Sequence, residues 1–404
     1  MIRRSCRTIK HIVLAIVLLV GVVCCAEVAW RVYSISEERL DVAQEIPLIP
    51  CYATYHHLQP EGTLSMTAAD GSEKISVRLN SLGLRGPEPA LVKAPDRLRI
   101  VCLGDELVFG PGLSDGDLFT AKLQLHLQRA LPVEVEVINA GVPGYCPLLS
   151  LLQYRHTLRA LKPDIVIQTF DMSDVADDHA VRAFAKLDES GVPMICENPA
   201  LKADDRLKSI ERHFQTLRWA KCQIAEWKSA PGQESFEDIS RTVGRYAWIR
   251  ESPPDWEMYV AHALEPIGQL QELSRESAAI FLFSAFPAPW QVSEEATGDQ
   301  RTRQKFGIAP GVKYTNREPF ARLAAYAQEH QLEFLDVSQF IDQVGNPEDL
   351  YQTDAPWLTA RGHEVYAALL AGRLVPRLQE RLRFYRPANT AGPTAQNPET
   401  NIPR

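Results

Sequence analysis

Hydrophobic positions along the chain follow two alternating patterns from residue 97 onward. Short apolar runs at 98–103, 133–138, 164–170, 279–284 and 333–337 have the length and β-branched character of strands buried on both faces. Between them apolar residues recur three and four apart. Phe119, Leu123 and Leu127, preceded by Ser114 and Asp117, mark a first amphipathic helix. Leu207, Ile210, Phe214 and Leu217 mark a second, and further helices are expected over 258–276 and 362–383. Strand, loop and helix in repeated alternation predict an α/β domain: a flavodoxin-like parallel five-stranded sheet with helices on both faces.

The flanks read differently. Residues 32–49 are a polar stalk, and 50–92 alternate in short segments with turns, as in "KISVRLNSLGLRGPEP", which fits a small β-rich lead-in. The predicted organisation is a leader at 1–31, stalk and lead-in at 32–92, and the α/β domain at 93–384. A helical insertion over about 180–276 is expected to cap one end of the sheet. Residues 229–237 and 293–313 read as loops, and the polar tail at 385–404 reads as disordered.

Composition adds a location and removes a partner class. The chain has 404 residues, 45% hydrophobic, enough for a large core. The first residues carry Arg3, Arg4, Arg7 and Lys10 and no acid ahead of an apolar run from Ile12 to Ala26, which continues past Glu27 to Trp30. That is an uncleaved membrane anchor placing everything after Arg31 outside the cytoplasm. Small Cys24 and Ala26 leave a cleaved export signal as the alternative. Net charge is −8, and since the leader is net positive the remainder is more acidic still, so nucleic acid is not an expected partner. Of eight cysteines, Cys6, Cys24 and Cys25 belong to the leader. One bridge among Cys51, Cys196 and Cys222 is open, Cys102 reads as a buried thiol, and no spacing suggests zinc.

In an open parallel sheet, sites form beyond the carboxyl ends of the strands. Four groups stand there: Gly104-Asp105-Glu106, "NAGVPGYC" (139–146), "FDMSDV" (170–175) and "DAPWLTARGH" (354–363). In this order they resemble the SGNH, or GDSL-like, hydrolase family, in particular membrane-anchored bacterial members with a lead-in like "NSLGLRGPE". The resemblance implies a Gly-Asp-Ser nucleophile turn, an oxyanion hole completed by a glycine and an asparagine, and an Asp-x-x-His pair. Carried over residue by residue, Glu106 stands at the serine position, Ser173 at the asparagine and Trp357 at the histidine. Gly144 and Asp354 match the family's glycine and aspartate. The expected cleft comprises Asp105, Glu106, Gly144, Ser173, Asp174, Asp354 and Trp357.

These replacements remove the reactive atoms. Tryptophan offers only an N–H donor and cannot collect a proton. An ionised Glu106 about 4 Å from a developing oxyanion repels it by roughly 4 kcal/mol at an effective dielectric near 20. Losing the asparagine donor costs roughly a hundredfold more in rate. Alternative assignments are bland. His363 belongs to a helix start, and Ser173 with His179 reads as a capping loop serine rather than a displaced nucleophile. A Glu106–Asp354 pair would need a carboxylate separation suited to glycoside cleavage. "DMSDVADDH" reads as a solvated loop with capping aspartates, not a calcium site, and Gly110 and Gly112 as turn residues. No cofactor or metal is expected. The sequence thus points to a membrane-tethered extracytoplasmic protein without hydrolase activity, binding or scaffolding on envelope glycans or a protein partner. The alternative is an active carboxylic-ester hydrolase or O-acyltransferase using non-standard residues.

Overall fold

A computed structural model of the chain describes residues 46–202, 244–250, 256–341 and 343–383, together with Gly21. The leader and its anchor, the 207–217 helix, the 229–237 loop, Cys222 and the tail at 385–404 lie outside the described residues. Among the described residues no helix is long and apolar enough to cross a membrane.

Two antiparallel pairs form the lead-in: β1 (Leu48–Pro50) with β2 (His56–Leu58), and β3 (Thr63–Thr67) with β4 (Lys74–Arg78). The principal elements that follow are β5 (Arg97–Leu103), α1 (Glu106–Phe109), α2 (Phe119–Ala130), β6 (Glu134–Asn139), α3 (Pro147–His156), β7 (Ile165–Phe170) and α4 (Asp174–Arg182). Next come the hairpin β8 (Ala185–Leu187) and β9 (Pro193–Cys196), then α5 (Trp256–Glu276), β10 (Ile280–Ala285), α6 (Gln300–Lys305), α7 (Glu318–Glu329), β11 (Glu333–Asp336) and α8 (Ala360–Arg383).

The five expected core strands form one parallel sheet in the order β11-β10-β7-β5-β6. Counted from the other edge this is 2-1-3-4-5, the flavodoxin-like order, whose switch point lies between β5 and β7. Alternate residues of the central strands serve opposite faces. Val101, Leu103, Val166 and Phe283 join Leu151 of α3, Ile267 of α5 and Leu323 of α7 in one core. Ile100, Cys102, Ile167 and Leu282 join Leu123 of α2 and Leu370 of α8 in the other. Every residue of β7 is buried, which explains why it reads as a continuous apolar run rather than an alternating one.

Two expectations change. The 293–313 stretch contains a helix, α6, whose sequence QRTRQK has no apolar periodicity to betray it. Asp299 caps it by accepting from the Thr302 N–H at 2.9 Å, and the buried Arg303 guanidinium gathers the carbonyls of Ala296, Thr297 and Ala309. The 180–276 insertion is not simply a helical cap. Where described it starts with the β8–β9 hairpin, stitched to the lead-in by the Cys196 N–H donating to the Ala53 carbonyl at 2.9 Å. It ends in α5, which belongs to the layer covering the sheet. Cys51, Cys102, Cys146 and Cys196 are free thiols.

One side chain fastens the lead-in to the domain. Arg85, from "LGLRG", is buried and pairs with Asp115 at 2.8 Å. It also donates to the carbonyls of Phe109 at 3.0 Å, Gly110 at 2.7 Å and Leu113. These carbonyls end α1 and build the loop after it, so Arg85 fixes the segment that carries the site. Arg85→Met strands three buried acceptors and is expected to cost roughly 3 kcal/mol, read as a lower midpoint in chemical denaturation. An unchanged midpoint contradicts this assignment.

Candidate functional site

The first strand-end turn is built for a sharp exit. Gly104 sits at φ 152°, where a Cβ would come within 2.6 Å of the Val108 side chain, so the chain leaves β5 through a conformation other residues resist. Asp105 then caps α1, accepting from the Leu107 N–H at 2.9 Å. This puts Glu106 on the first residue of the helix, at the β5/β7 switch point. The second turn is braced by Asn139, which donates to the Val108 carbonyl at 2.7 Å and accepts from the Gly141 N–H at 3.0 Å. It delivers Gly144, at φ 73°.

The Glu106 carboxylate is surrounded by donors. The backbone N–H groups of Glu106 and Gly144 and the Asp105 side chain favour its ionised form. Arg245 approaches with one guanidinium nitrogen 3.4 and 3.5 Å from its two oxygens. Burial alone would raise Glu106, but Arg245 and these groups prevail and hold it below the usual carboxylate range. Burial, with the charges of Asp171, Glu106 and Asp174, pushes Asp105 well above its ordinary value.

More acids stand alongside. Asp177 on α4 accepts from Arg245 at 2.8 and 3.0 Å, yet burial prevails over Arg245 and raises it to about 6. Asp178 is raised to about 6 by burial against the opposing pull of Arg182. Burial also raises Asp171, and burial with the Asp171 charge raises Asp174 well above its ordinary range. The "DMSDVADDH" segment is therefore not a solvated loop. Asp174, Asp177 and Asp178 are buried within α4, made tolerable by Arg245, Arg182 and retained protons.

A cavity of about 500 Å³ opens over Glu106. Of the expected cleft residues, Glu106, Gly144 and Trp357 line it, and four do not. Asp105 lies beneath as the helix cap. The Ser173 hydroxyl is buried and donates to Asp171 at 2.6 Å, not to His179, whose ring stacks on Tyr259 with centroids 4.2 Å apart. Asp174 is turned inward to accept from the Asp171 N–H at 2.8 Å. Asp354 is exposed on a loop whose backbone is fixed by Thr302 donating to the Asp354 carbonyl at 2.7 Å. His363 is buried in α8, its Nδ1 accepting from the Phe119 N–H at 2.9 Å, and burial pushes it down to about 3.

Several lining residues carried no sequence signal. Whereas Asp177 comes from the acidic run read as solvated, Arg245, Tyr55 and Asn198 come from distant segments. So does His56, whose Nε2 meets the Pro143 carbonyl at 2.9 Å and which burial pushes below its ordinary value. That contact makes Nε2 the protonated nitrogen of a neutral ring. Among the described lining residues there is no serine, threonine or cysteine.

No protein-family model matches the chain. No curated protein matches it either. Among solved structures, the lipase/acylhydrolase from Enterococcus faecalis is similar at 15% identity and TM-score 0.38, over 69% of this chain and 96% of its own. A putative lipolytic protein of the G-D-S-L family from Desulfitobacterium hafniense is 16% identical with TM-score 0.35, over 68% and 98%. The acetylxylan esterase Axe2 from Geobacillus stearothermophilus is 13% identical with TM-score 0.35, over 69% and 94%. At such scores these likenesses decide nothing about activity, and the strand order stands on the chain's own hydrogen bonds.

Asp177 binds its proton more tightly in the folded chain, at about 6 against an ordinary 3.8. Its contribution to stability is complete below 3.8 and is lost as pH rises through about 6. The whole effect is on the order of 3 kcal/mol, with roughly half remaining at pH 5 and little at pH 7. Asp177→Asn lacks this contribution. Denaturation at the two pH values is expected to show the wild type's stability relative to the variant greater at pH 5 than at pH 7 by roughly 1 kcal/mol. A pH-independent difference refutes the assignment.

Proposed function

We propose that this chain is a binding module built on an SGNH-hydrolase-like framework, without ester-hydrolase activity and tethered outside the cytoplasm by its N-terminal apolar segment. The observation that carries the reading is the position of the Glu106 carboxylate. The backbone N–H groups of Glu106 and Gly144, which would receive the oxygen of an acyl transition state, already favour an anion the chain itself supplies, which Arg245 also faces. A donor set committed to a carboxylate gives a transition state little additional stabilisation over its ground state. The described lining also offers no hydroxyl or thiol of serine, threonine or cysteine to attack with.

An envelope glycan or a protein partner is the proposed occupant class in the broad sense, because the resembled family handles acylated sugars and lipids. The tether reading rests on the basic residues ahead of the Ile12 to Ala26 run.

The purified chain is expected to hydrolyse p-nitrophenyl acetate at the rate of buffer alone, with Glu106→Ala giving the same background. Turnover by the natural chain that disappears in Glu106→Ala overturns the reading and establishes an unorthodox esterase. In cell fractionation the full chain is expected with the membranes, and a chain lacking residues 1–31 in the soluble fraction. Recovery of the full chain from the soluble fraction refutes the tether.

A further inference from the structure

The charges lining the cavity do not balance. Glu106 and Asp177 present carboxyl groups, and Arg245 is the one arginine or lysine among the described lining residues. That guanidinium is heavily shared. Its Nε and one terminal nitrogen go to Asp177 at 3.0 and 2.8 Å, and the same terminal nitrogen reaches Glu106 only at 3.4 and 3.5 Å. Arg245 acts as well on Asp105 and Asp171 behind the floor. One cation thus meets both carboxyls of the lining, and His56 adds no positive charge while its ring stays neutral.

The walls have a complementary character. Tyr55 and Trp357 bring aromatic rings to a cavity otherwise edged by Leu48, Pro50 and Val181. Aromatic faces attract cations, most strongly where water is displaced, and an apolar rim suits an alkyl or ring body. An anionic head, by contrast, would meet Glu106 already favoured by the nearby backbone donors and would have to compete for Arg245 with two carboxyls.

We infer that the cavity takes an amphipathic ligand bearing a protonated or quaternary amine, its cationic head at Glu106 and Asp177 and its apolar body between Tyr55, Trp357 and Leu48. This rests on the reading that the cavity binds without turning over, and it narrows that reading to one ligand class. The cationic head supplies the counter-charge that Arg245 alone spreads across the floor.

The probes are octyltrimethylammonium, octanol and octyl sulfonate, titrated into the full chain by calorimetry below their micellar concentrations. The ammonium probe is expected to bind at least about tenfold more tightly than octanol, and the sulfonate more weakly than either. Glu106→Gln is expected to erase most of the ammonium preference while leaving octanol binding nearly unchanged. Should that variant fail to fold, Trp357→Leu, which keeps an apolar wall and removes the ring, is expected to lower ammonium affinity selectively. Equal binding of ammonium and octanol, preference for the sulfonate, absence of binding by any probe, or a preference insensitive to these variants overturns the inference. Each of those results leaves the binding-module reading to the ester assay, which tests it separately.

Discussion

A single ionised carboxylate, that of Glu106, organises the end of the sheet where a ligand would arrive. It is anionic because Arg245, the Asp105 side chain and the backbone N–H groups of Glu106 and Gly144 all favour its ionised form against burial. Remove its charge and Arg245 would be left with Asp177 alone. Asp105 is driven the other way, its proton favoured by burial and by the charges of Asp171 and Glu106. With one guanidinium among them, Asp171, Asp174 and Asp177 also have their proton affinities raised by burial.

That carboxylate depends in turn on how the chain ends α1. The helix has one turn, so its own hydrogen bonds could not hold Glu106 in place. Its geometry comes from outside: the Asp105 cap, the Asn139 amide on the Val108 carbonyl, and Arg85 on the carbonyls of Phe109 and Gly110. Arg85 belongs to the lead-in, and so does His56 on the cavity wall. The lead-in is therefore not a spacer between tether and domain. It supplies one wall of the cavity and the clamp that keeps the floor in register, which couples the stability of the small β-pairs to the shape of the site.

The parts of this that could be read from sequence are those with a local signature. The three central strands announce themselves because burial on both faces demands continuous apolar residues, and α2 and α8 because one apolar face demands spacing by three and four. Glu106, Gly144 and Trp357 could be placed because each sits in a short motif at a strand or helix boundary. Arg245, His56 and Tyr55 could not, because each reaches the cavity through tertiary contact from a segment with no motif of its own. The aspartates of α4 misled for a physical reason: a dense acidic run normally stays in water, and nothing local reveals that Arg245 and Arg182 will accompany it inside. Asp354 misled because matching a motif fixes a position along the chain but not the path of the loop, and this loop turns the side chain to solvent.

On the proposed reading, the absence of hydrolytic chemistry would not come down to one atom. A hydroxyl at position 106 would release the backbone donors, yet it would also stand before Arg245 rather than a partner poised to take its proton. In the proposed correspondence Trp357 takes the place of a base, and Asp354, which would orient one, lies exposed. Ser173 is committed to Asp171 and adds no third donor. Each deficit has its own structural cause, held by a different loop, so correcting any one leaves the others in force. On that reading, the separation of those causes would distinguish a cleft rebuilt around a charge from an enzyme disabled by a single substitution. The cleft has an open volume, aromatic and apolar walls and two carboxyls beside one guanidinium, which suit recognition without requiring that any bond be broken.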